Sequence, residues 1–151
     1  MSNLIEKNDI NIVKLSLELE KAVIQHELQD DEVIYVNEDG FFPFWICILE
    51  HRRFVCFSTH AFFTKSSTRQ QQLEFCNRLN RQYYMVTAHS KDETLRIDHI
   101  LSFEDGIFQA AFIRACRKFS RTIEIALMEL DPNNDLVLQP GQKESEQAES
   151  E

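Results

Sequence analysis

The chain has 151 residues, of which 43% are hydrophobic and 11% aromatic; this composition is typical of a packed globular protein and excludes disorder of the whole chain. Its 16 lysines and arginines face 25 aspartates and glutamates, and the net charge of −9 argues against nucleic-acid binding, which needs clustered cations. No stretch has the roughly 18 apolar residues of a membrane span, and residues 1–9 lack the features of a signal peptide, so we expect a cytoplasmic protein with no membrane partner.

The first part of the chain is predicted to form a helix followed by a hairpin. Apolar residues at helical spacing indicate a helix over residues 9–20. Residues 22–28 then alternate between apolar and polar, and a β-rich run follows at 33–36, which together favour a first hairpin. A helix that continues to Gln29 is the alternative.

The next part of the chain is predicted to form two strands. The Asn-Glu-Asp-Gly sequence at 37–40 is typical of a turn. Residues 42–49 are apolar on both faces, which predicts an interior strand, and Pro43 belongs at its beginning because proline cannot donate to a ladder. Residues 54–57 are interpreted as the following strand.

A second helix is predicted after a run of hydroxyl residues. Ser67 with Gln70 fits a capping box, in which two backbone amides at the helix start are satisfied reciprocally. We expect the helix to end near Asn80, a residue that tolerates the left-handed conformation.

The last predicted elements are a hairpin and a long helix. Residues 83–89 and 95–101 indicate two strands, and residues 107–130 indicate the helix. Its apolar positions repeat every three or four residues: Phe108, Phe112, Ala115, Phe119, Ile123, Ala126 and Leu130. The element order predicts an α+β fold, an antiparallel β-sheet with N-terminal, middle and long C-terminal helices.

Residues 1–130 are expected to form the domain, and residues 131–151 to form an acidic, disordered tail. The tail begins with Asp131 and Pro132, and its six acidic residues against one lysine give it a charge of −5. Docking of residues 136–138 as a short extended piece is the alternative for the start of this segment.

Positively charged residues are concentrated at positions 114–121 of the predicted long helix. We interpret this cluster first as a solvated helix face, second as a patch for an acidic partner and only third as a nucleic-acid site.

No catalytic signature is present in the sequence. The four cysteines lack metal-ligand spacing and are interpreted as buried apolar residues. Cys56 and His60 would lie roughly 13 Å apart on a strand, too far for proton transfer. His60 and His89 are the histidines whose predicted positions at strand ends would let them meet. We therefore expect no enzyme and no cofactor.

Two groups of residues are the candidate contact or structural sites. The first is an aromatic cluster near the turns: Phe42, Phe44, Trp45, Phe62 and Phe63. We expect most of these side chains to pack in the core and the others to lie exposed, where they can contact a partner. The second is the pair Asn77 and Asn80, three residues apart on one helix surface. Because asparagine is a poor interior helix residue, we expect this pair to tie the helix end to neighbouring backbone, or to recognise a partner.

These motifs together resemble the YbjN family of proteins, which are described as bacterial regulators of sensory transduction. The resemblance spans residues 9–130 and is carried by three features: the turn before Phe42-Pro-Phe-Trp-Ile46, the Asn77-Arg-Leu-Asn80 segment and the Asp105-Gly106 start of the last helix. Many members have tryptophan where this chain has Leu79. The family is similar in fold to type III secretion chaperones, which bind protein clients and often dimerise.

The resemblance implies a non-catalytic protein-binding regulator or chaperone-like adaptor, with a protein partner of unknown identity and a homodimeric state. The alternative is a sensor domain that binds a small molecule or a metal through the aromatic cluster and His60 or His89.

Overall fold

The computed structural model describes residues 3–140 of the chain. In chain order its elements are β1 (Leu4–Ile5), α1 (Ile12–Lys21), β2 (His26–Gln29), β3 (Val33–Val36), β4 (Phe44–Leu49), β5 (Phe54–Phe62), α2 (Arg69–Gln82), β6 (Thr87–Lys91), β7 (Thr94–Ser102), β8 (Ile107–Phe108) and α3 (Gln109–Leu130). Within residues 3–140, none of the helices combines the length and the hydrophobicity needed to cross a bilayer.

The strands form a six-stranded sheet in the order β2-β3-β4-β5-β7-β6, and β1 and β8 form a separate two-stranded sheet. Each consecutive pair from β2 to β5 is antiparallel. The predicted α+β class, with an antiparallel sheet and three helices, is confirmed. β4 is an interior strand as predicted, but only the face that carries Phe44 and Ile46 is fully buried.

The chain divides into two compact units. Unit 1 runs up to Thr59 and includes Asp98–Arg121, while unit 2 consists of His60–Ile97 and the chain from Thr122 onward. β5, β7 and α3 therefore each contribute residues to both units.

The core of unit 1 is an interlocked set of phenylalanine rings. Phe119 on α3 meets Phe44 edge-on, with ring centroids 5.2 Å apart, and lies 5.9 Å from Phe57 on β5. Phe112 lies 6.1 Å from Phe57. All four rings are fully buried, and each contributes roughly 1.5–3 kcal/mol by leaving water. The predicted apolar stripe of α3 is thereby confirmed at Phe112 and Phe119.

The first helix is shorter than predicted at its start. The helix predicted from residue 9 begins at Ile12. Asn11 is its N-cap, since the side-chain oxygen of Asn11 accepts a hydrogen bond of 2.9 Å from the Lys14 amide. The alternative of a helix through Gln29 is wrong, because Val23 turns into the left-handed region at φ 58° and ends α1.

The capping box of α2 lies one residue later than predicted. The Gln71 amide donates to the Thr68 hydroxyl at 3.1 Å, and the Thr68 amide donates to the Gln71 side chain at 2.8 Å. Ser67 instead donates to the carbonyl of Thr64. The predicted left-handed end at Asn80 is also wrong, because the helix continues to Gln82.

The strand predicted at residues 83–89 begins later, at Thr87, because residues before it form a turn in which the Val86 amide donates to the Tyr83 carbonyl. α3 also begins later than predicted, at Gln109. Phe108 is exposed, so the prediction that the ring of Phe108 belongs to the core is wrong. Phe108 pairs with Leu4 in the two-stranded sheet, which the sequence pattern did not indicate.

The described residues after α3 belong to unit 2 and are held in place by hydrogen bonds within it. Asp131 is buried, and its carboxylate accepts hydrogen bonds from the amides of residues 135, 136 and 137. Val137 is fully buried and pairs antiparallel with Phe63. The predicted docking of residues 136–138 as a short extended piece is thus confirmed. Residues 141–151 of the predicted tail lie outside the described range.

Candidate functional site

The five aromatic residues predicted as one cluster are divided between core and surface. Phe42 and Phe44 are buried in unit 1, and Phe63 is buried in unit 2. Trp45 is half-buried, and Phe62 exposes 51% of its surface. Three of the five side chains therefore serve packing, and only Trp45 and Phe62 offer aromatic surface to a partner.

Trp45 already has a structural role on the sheet. It lies directly opposite Tyr35 in the β3–β4 pair, and the two ring centroids are 4.9 Å apart. Cross-strand aromatic pairs of this kind contribute roughly 0.2–1 kcal/mol to a sheet. Phe62 has the more exposed ring of the two, at the end of β5 in unit 2.

The two asparagines of the predicted pair have different positions. The side-chain amide of Asn80 brackets Ala88 on β6: it donates to the Ala88 carbonyl at 3.0 Å and accepts from the Ala88 amide at 2.6 Å. Asn77 is exposed on α2. The predicted tie between the helix end and neighbouring backbone is confirmed for Asn80, which anchors α2 to β6 inside unit 2.

An exposed apolar pair on α1 was missed at the sequence level. Val13 and Leu17 stand one helical turn apart, and Leu17 exposes 45% of its surface. The opposite side of the helix holds the buried stripe of Ile12, Leu15 and Leu19. The i, i+4 spacing of Val13 and Leu17 was the signal that an apolar pair remains outside this stripe.

The turn that ends α1 holds an apolar residue in an unfavourable backbone conformation. The Val23 amide donates to the Glu20 carbonyl and the Ile24 amide to the Leu19 carbonyl, the two hydrogen bonds of a Schellman motif. Val23 occupies the left-handed position at φ 58°, where glycine is usual, and exposes 84% of its surface. A β-branched residue in this region is an outlier, which marks the turn as a functional candidate.

His60 and His89 line one pocket, as their predicted positions suggested. The pocket has a volume of about 350 Å³ and belongs to unit 2; its other lining residues are Lys91, Asp92, Thr94 and Arg96. None of the five candidate aromatics is among these lining residues. Within the described part of the chain, no three histidine, cysteine or carboxylate side chains form a group that would hold a metal ion.

The pKa values of Cys76, Cys116 and Tyr83 are all raised, which keeps these three groups protonated at neutral pH. Burial raises the pKa of the Cys76 thiol against a smaller opposing effect of Arg69, and burial also raises the pKa of the Cys116 thiol. The pKa of Tyr83 is raised to about 12 by burial, by its hydrogen bond to Glu129 and by the charge of that carboxylate. A nucleophilic thiol needs the opposite shift, so neither of these thiols is activated.

Comparison with known proteins identifies the chain's relatives. Residues 13–131 match the model of a family described as "YbjN: Putative bacterial sensory transduction regulator". No curated protein matches the chain.

Two solved structures are similar in fold. One is the crystal structure of YbjN from E. coli, described as a putative transcription regulator; it is 18% identical, with a TM-score of 0.71 over 86% of this chain and 97% of that chain. The other is the HopA1-SchA chaperone-effector complex, 11% identical, with a TM-score of 0.55 over 76% of this chain and 90% of that chain. At these identities the likeness concerns the fold.

We predict that Asn80→Ala lowers the free energy of unfolding by about 1–3 kcal/mol, because it leaves the amide and carbonyl of Ala88 without their partner. Asn77→Ala is the matched control on the same helix, and its exposed side chain predicts a change within about 0.5 kcal/mol. Urea unfolding followed by circular dichroism measures both. Equal stability of the two variants would contradict the anchoring role of Asn80.

Proposed function

Because the chain belongs to the YbjN family, we propose that it is a non-catalytic regulator that acts in the cytoplasm by binding another protein, in the manner of a chaperone-like adaptor. The similarity in fold to the chaperone-effector complex supports this proposal. The absence of activated groups among Cys76, Cys116 and Tyr83 is consistent with it.

The contact surface that we propose is the outward side of α1 together with the turn that ends it. Val13, Leu17 and Val23 contribute exposed apolar area within one short stretch of unit 1. Burial of such side chains against a partner stabilises the complex by roughly 25 cal/mol per Å² of apolar surface removed from water. An amphipathic helix that keeps a second, outward apolar pair is suited to a partner with an apolar groove or helix of its own.

Val23 is the observation that carries the proposal. A side chain in the left-handed conformation costs about 1–2 kcal/mol relative to glycine, and this one lies almost wholly in water, so the fold gains little from it. Strain of this kind persists where a function needs the side chain. Contact between Val23 and a partner protein accounts for both the strain and the exposure.

Leu17→Ser is expected to reduce capture of the partner several-fold in a pull-down from bacterial lysate, because it replaces exposed apolar surface on α1 with a hydroxyl. The matched control is Leu73→Ser on α2, since Leu73 is exposed to 49%, close to the 45% of Leu17. The amounts of the stoichiometric partner retained by each variant are compared by quantitative mass spectrometry. If both variants retain it equally, the α1 surface is not the contact.

Val23→Gly is expected to have opposite effects on stability and binding. Relief of the left-handed strain raises the free energy of unfolding by about 1 kcal/mol, while loss of the side chain weakens capture of the partner. Urea unfolding and the same pull-down measure the two effects. A variant that is stabilised and still captures the partner fully would remove Val23 from the contact surface.

We also propose that the protein is a homodimer, since exposed apolar residues remain on unit 1 and the secretion chaperones that the family resembles often dimerise. Multi-angle light scattering is expected to give twice the chain mass of 17.8 kDa at tens of micromolar. A single species of one chain mass at that concentration would refute the homodimer and leave the proposed binding to another protein standing.

A further inference from the structure

Two of the four cysteines lie directly opposite each other on neighbouring strands. Cys47 is on β4 and Cys56 on β5, and the antiparallel register makes the two residues Cα partners. Residues that are opposite each other in an antiparallel pair point to the same face of the sheet. Both side chains carry thiols, so unit 1 holds two thiols next to each other on one face of its sheet.

The hydrogen bonds of β5 show which kind of cross-strand pair the cysteines form. The Arg53 carbonyl accepts a hydrogen bond of 2.8 Å from the Phe103 amide, at the end of β7, which lies on the opposite side of β5 from β4. The Phe54 amide belongs to the same planar peptide as that carbonyl, so it points the other way, toward β4. Phe54 and its partner on β4 are therefore a hydrogen-bonded pair, and so are Cys56 and Cys47, two residues along.

This pairing brings the two sulfurs within reach of a disulfide that is strained. The Cα atoms of a hydrogen-bonded antiparallel pair are about 5.5 Å apart, and most disulfides have Cα separations of about 4.4–6.8 Å. The Cβ atoms of such a pair lie up to about 5.5 Å apart, whereas a disulfide needs roughly 3.5–4.5 Å. Closing the bridge therefore draws the strands together, and a strained bridge is more easily reduced than a relaxed one.

The two thiols differ in their exposure. Cys47 is half-buried on the face of β4 that also carries Trp45, whereas Cys56 is only 5% exposed. A small oxidant therefore reaches the Cys47 sulfur first, and the Cys56 sulfur lies beside it. An accessible thiol with a second thiol next to it, which can attack the oxidised sulfur, is typical of cysteines that respond to oxidants.

The other two cysteines have a different setting. Cys76 lies on α2 and Cys116 on α3, and both side chains are buried. Burial raises the pKa of both thiols, which leaves less of the thiolate that oxidants attack. These two residues therefore serve as controls within the same chain.

We propose that Cys47 and Cys56 form a site of reversible oxidation, which takes a peroxide as its oxidant and closes as an intramolecular disulfide. With hydrogen peroxide, the Cys47 sulfur attacks one oxygen, the O–O bond breaks, and the second oxygen leaves as water with the thiol proton. Cys47 is then a sulfenic acid. The inference does not depend on the proposed function, because the α1 surface uses other residues.

The second step closes the bridge. The Cys56 sulfur attacks the sulfur of the Cys47 sulfenic acid, the S–O bond breaks, and the hydroxyl leaves as a second water with the Cys56 proton. Two molecules of a thiol such as glutathione then reduce the bridge and are themselves oxidised to a disulfide. Easy reduction of this kind suits a reducing compartment, where disulfides are transient.

The first experiment maps the thiols of the intact, folded chain after treatment with hydrogen peroxide. The wild-type chain is expected to lose two of its four thiols and the mass of two hydrogen atoms. Proteolysis without reductant is expected to release a peptide pair linked through Cys47 and Cys56, as identified by mass spectrometry. A link between any other pair, or a covalent dimer as the main product, would overturn the proposal.

Single substitutions separate the roles of the two thiols. Cys56→Ala is expected to stop the reaction at the Cys47 sulfenic acid, which dimedone traps, and Cys47→Ala is expected to slow the oxidation of Cys56 severalfold. The matched control is Cys76→Ala, because Cys76 is 6% exposed, close to the 5% of Cys56, and it is expected to leave the bridge intact. An internal bridge in Cys56→Ala, or its loss in Cys76→Ala, contradicts the assignment. Circular dichroism checks that each variant is folded, and the wild-type map stands without the variants.

Reversibility is measured through the fluorescence of Trp45, the only tryptophan of the chain. Trp45 lies two residues before Cys47 on the same face, about 7 Å along the strand, where a disulfide quenches the indole. Peroxide is expected to lower this fluorescence in the wild-type chain, and reduced glutathione to restore it, while Cys56→Ala keeps its signal. A bridge that glutathione does not open, or one that forms only after urea has unfolded the chain, rules out a reversible site in the native fold.

Discussion

The packing of α3 phenylalanines against the sheet is the interaction on which unit 1 depends. Phe112 and Phe119 bring the helix onto Phe44 and Phe57 of neighbouring strands, with contacts that include an edge-to-face pair. Rings at these distances contribute about 0.5–1.5 kcal/mol per pair beyond their burial. Because this core fixes which face of β4 is buried, it also places Trp45 on the outer face with Tyr35.

Unit 2 depends on polar contacts to hold its parts in place. Asn80 connects α2 to β6 through hydrogen bonds to both backbone groups of Ala88. The carboxylate of Asp131 accepts hydrogen bonds from three consecutive backbone amides after α3. Removal of either side chain would leave these backbone groups without hydrogen-bond partners in a partly buried setting, and an unsatisfied group there costs stability. The hydrogen bonds of Asp131 also set the direction of residues 136–138 along the end of β5.

The sequence predicted the fold well because periodicity reports which face of each element is buried. It did not assign each residue of the aromatic cluster to the core or to the surface. Adjacent residues of an extended chain point to opposite faces, and the structure shows that Phe62 is exposed while Phe63 is buried. Two capping registers fitted the hydroxyl run before α2, and only the folded backbone distinguishes Thr68 from Ser67. The turn at Val23 could not be predicted, because valine is not a residue typical of turns. The other residues that line the pocket with His60 and His89 could not be predicted either, because short-range patterns do not contain the strand order that brings them together.

The proposed partner surface can be distinguished from a contact between charges by its physical origin. Contact through Val13, Leu17 and Val23 rests on removing apolar area from water, which salt does not screen. Attraction between exposed charges instead weakens as the Debye length falls from about 10 Å at 0.1 M salt to about 3 Å at 1 M. A contact carried by these three side chains therefore persists when the ionic strength rises, and salt dependence distinguishes it from a contact between charged residues without any substitution.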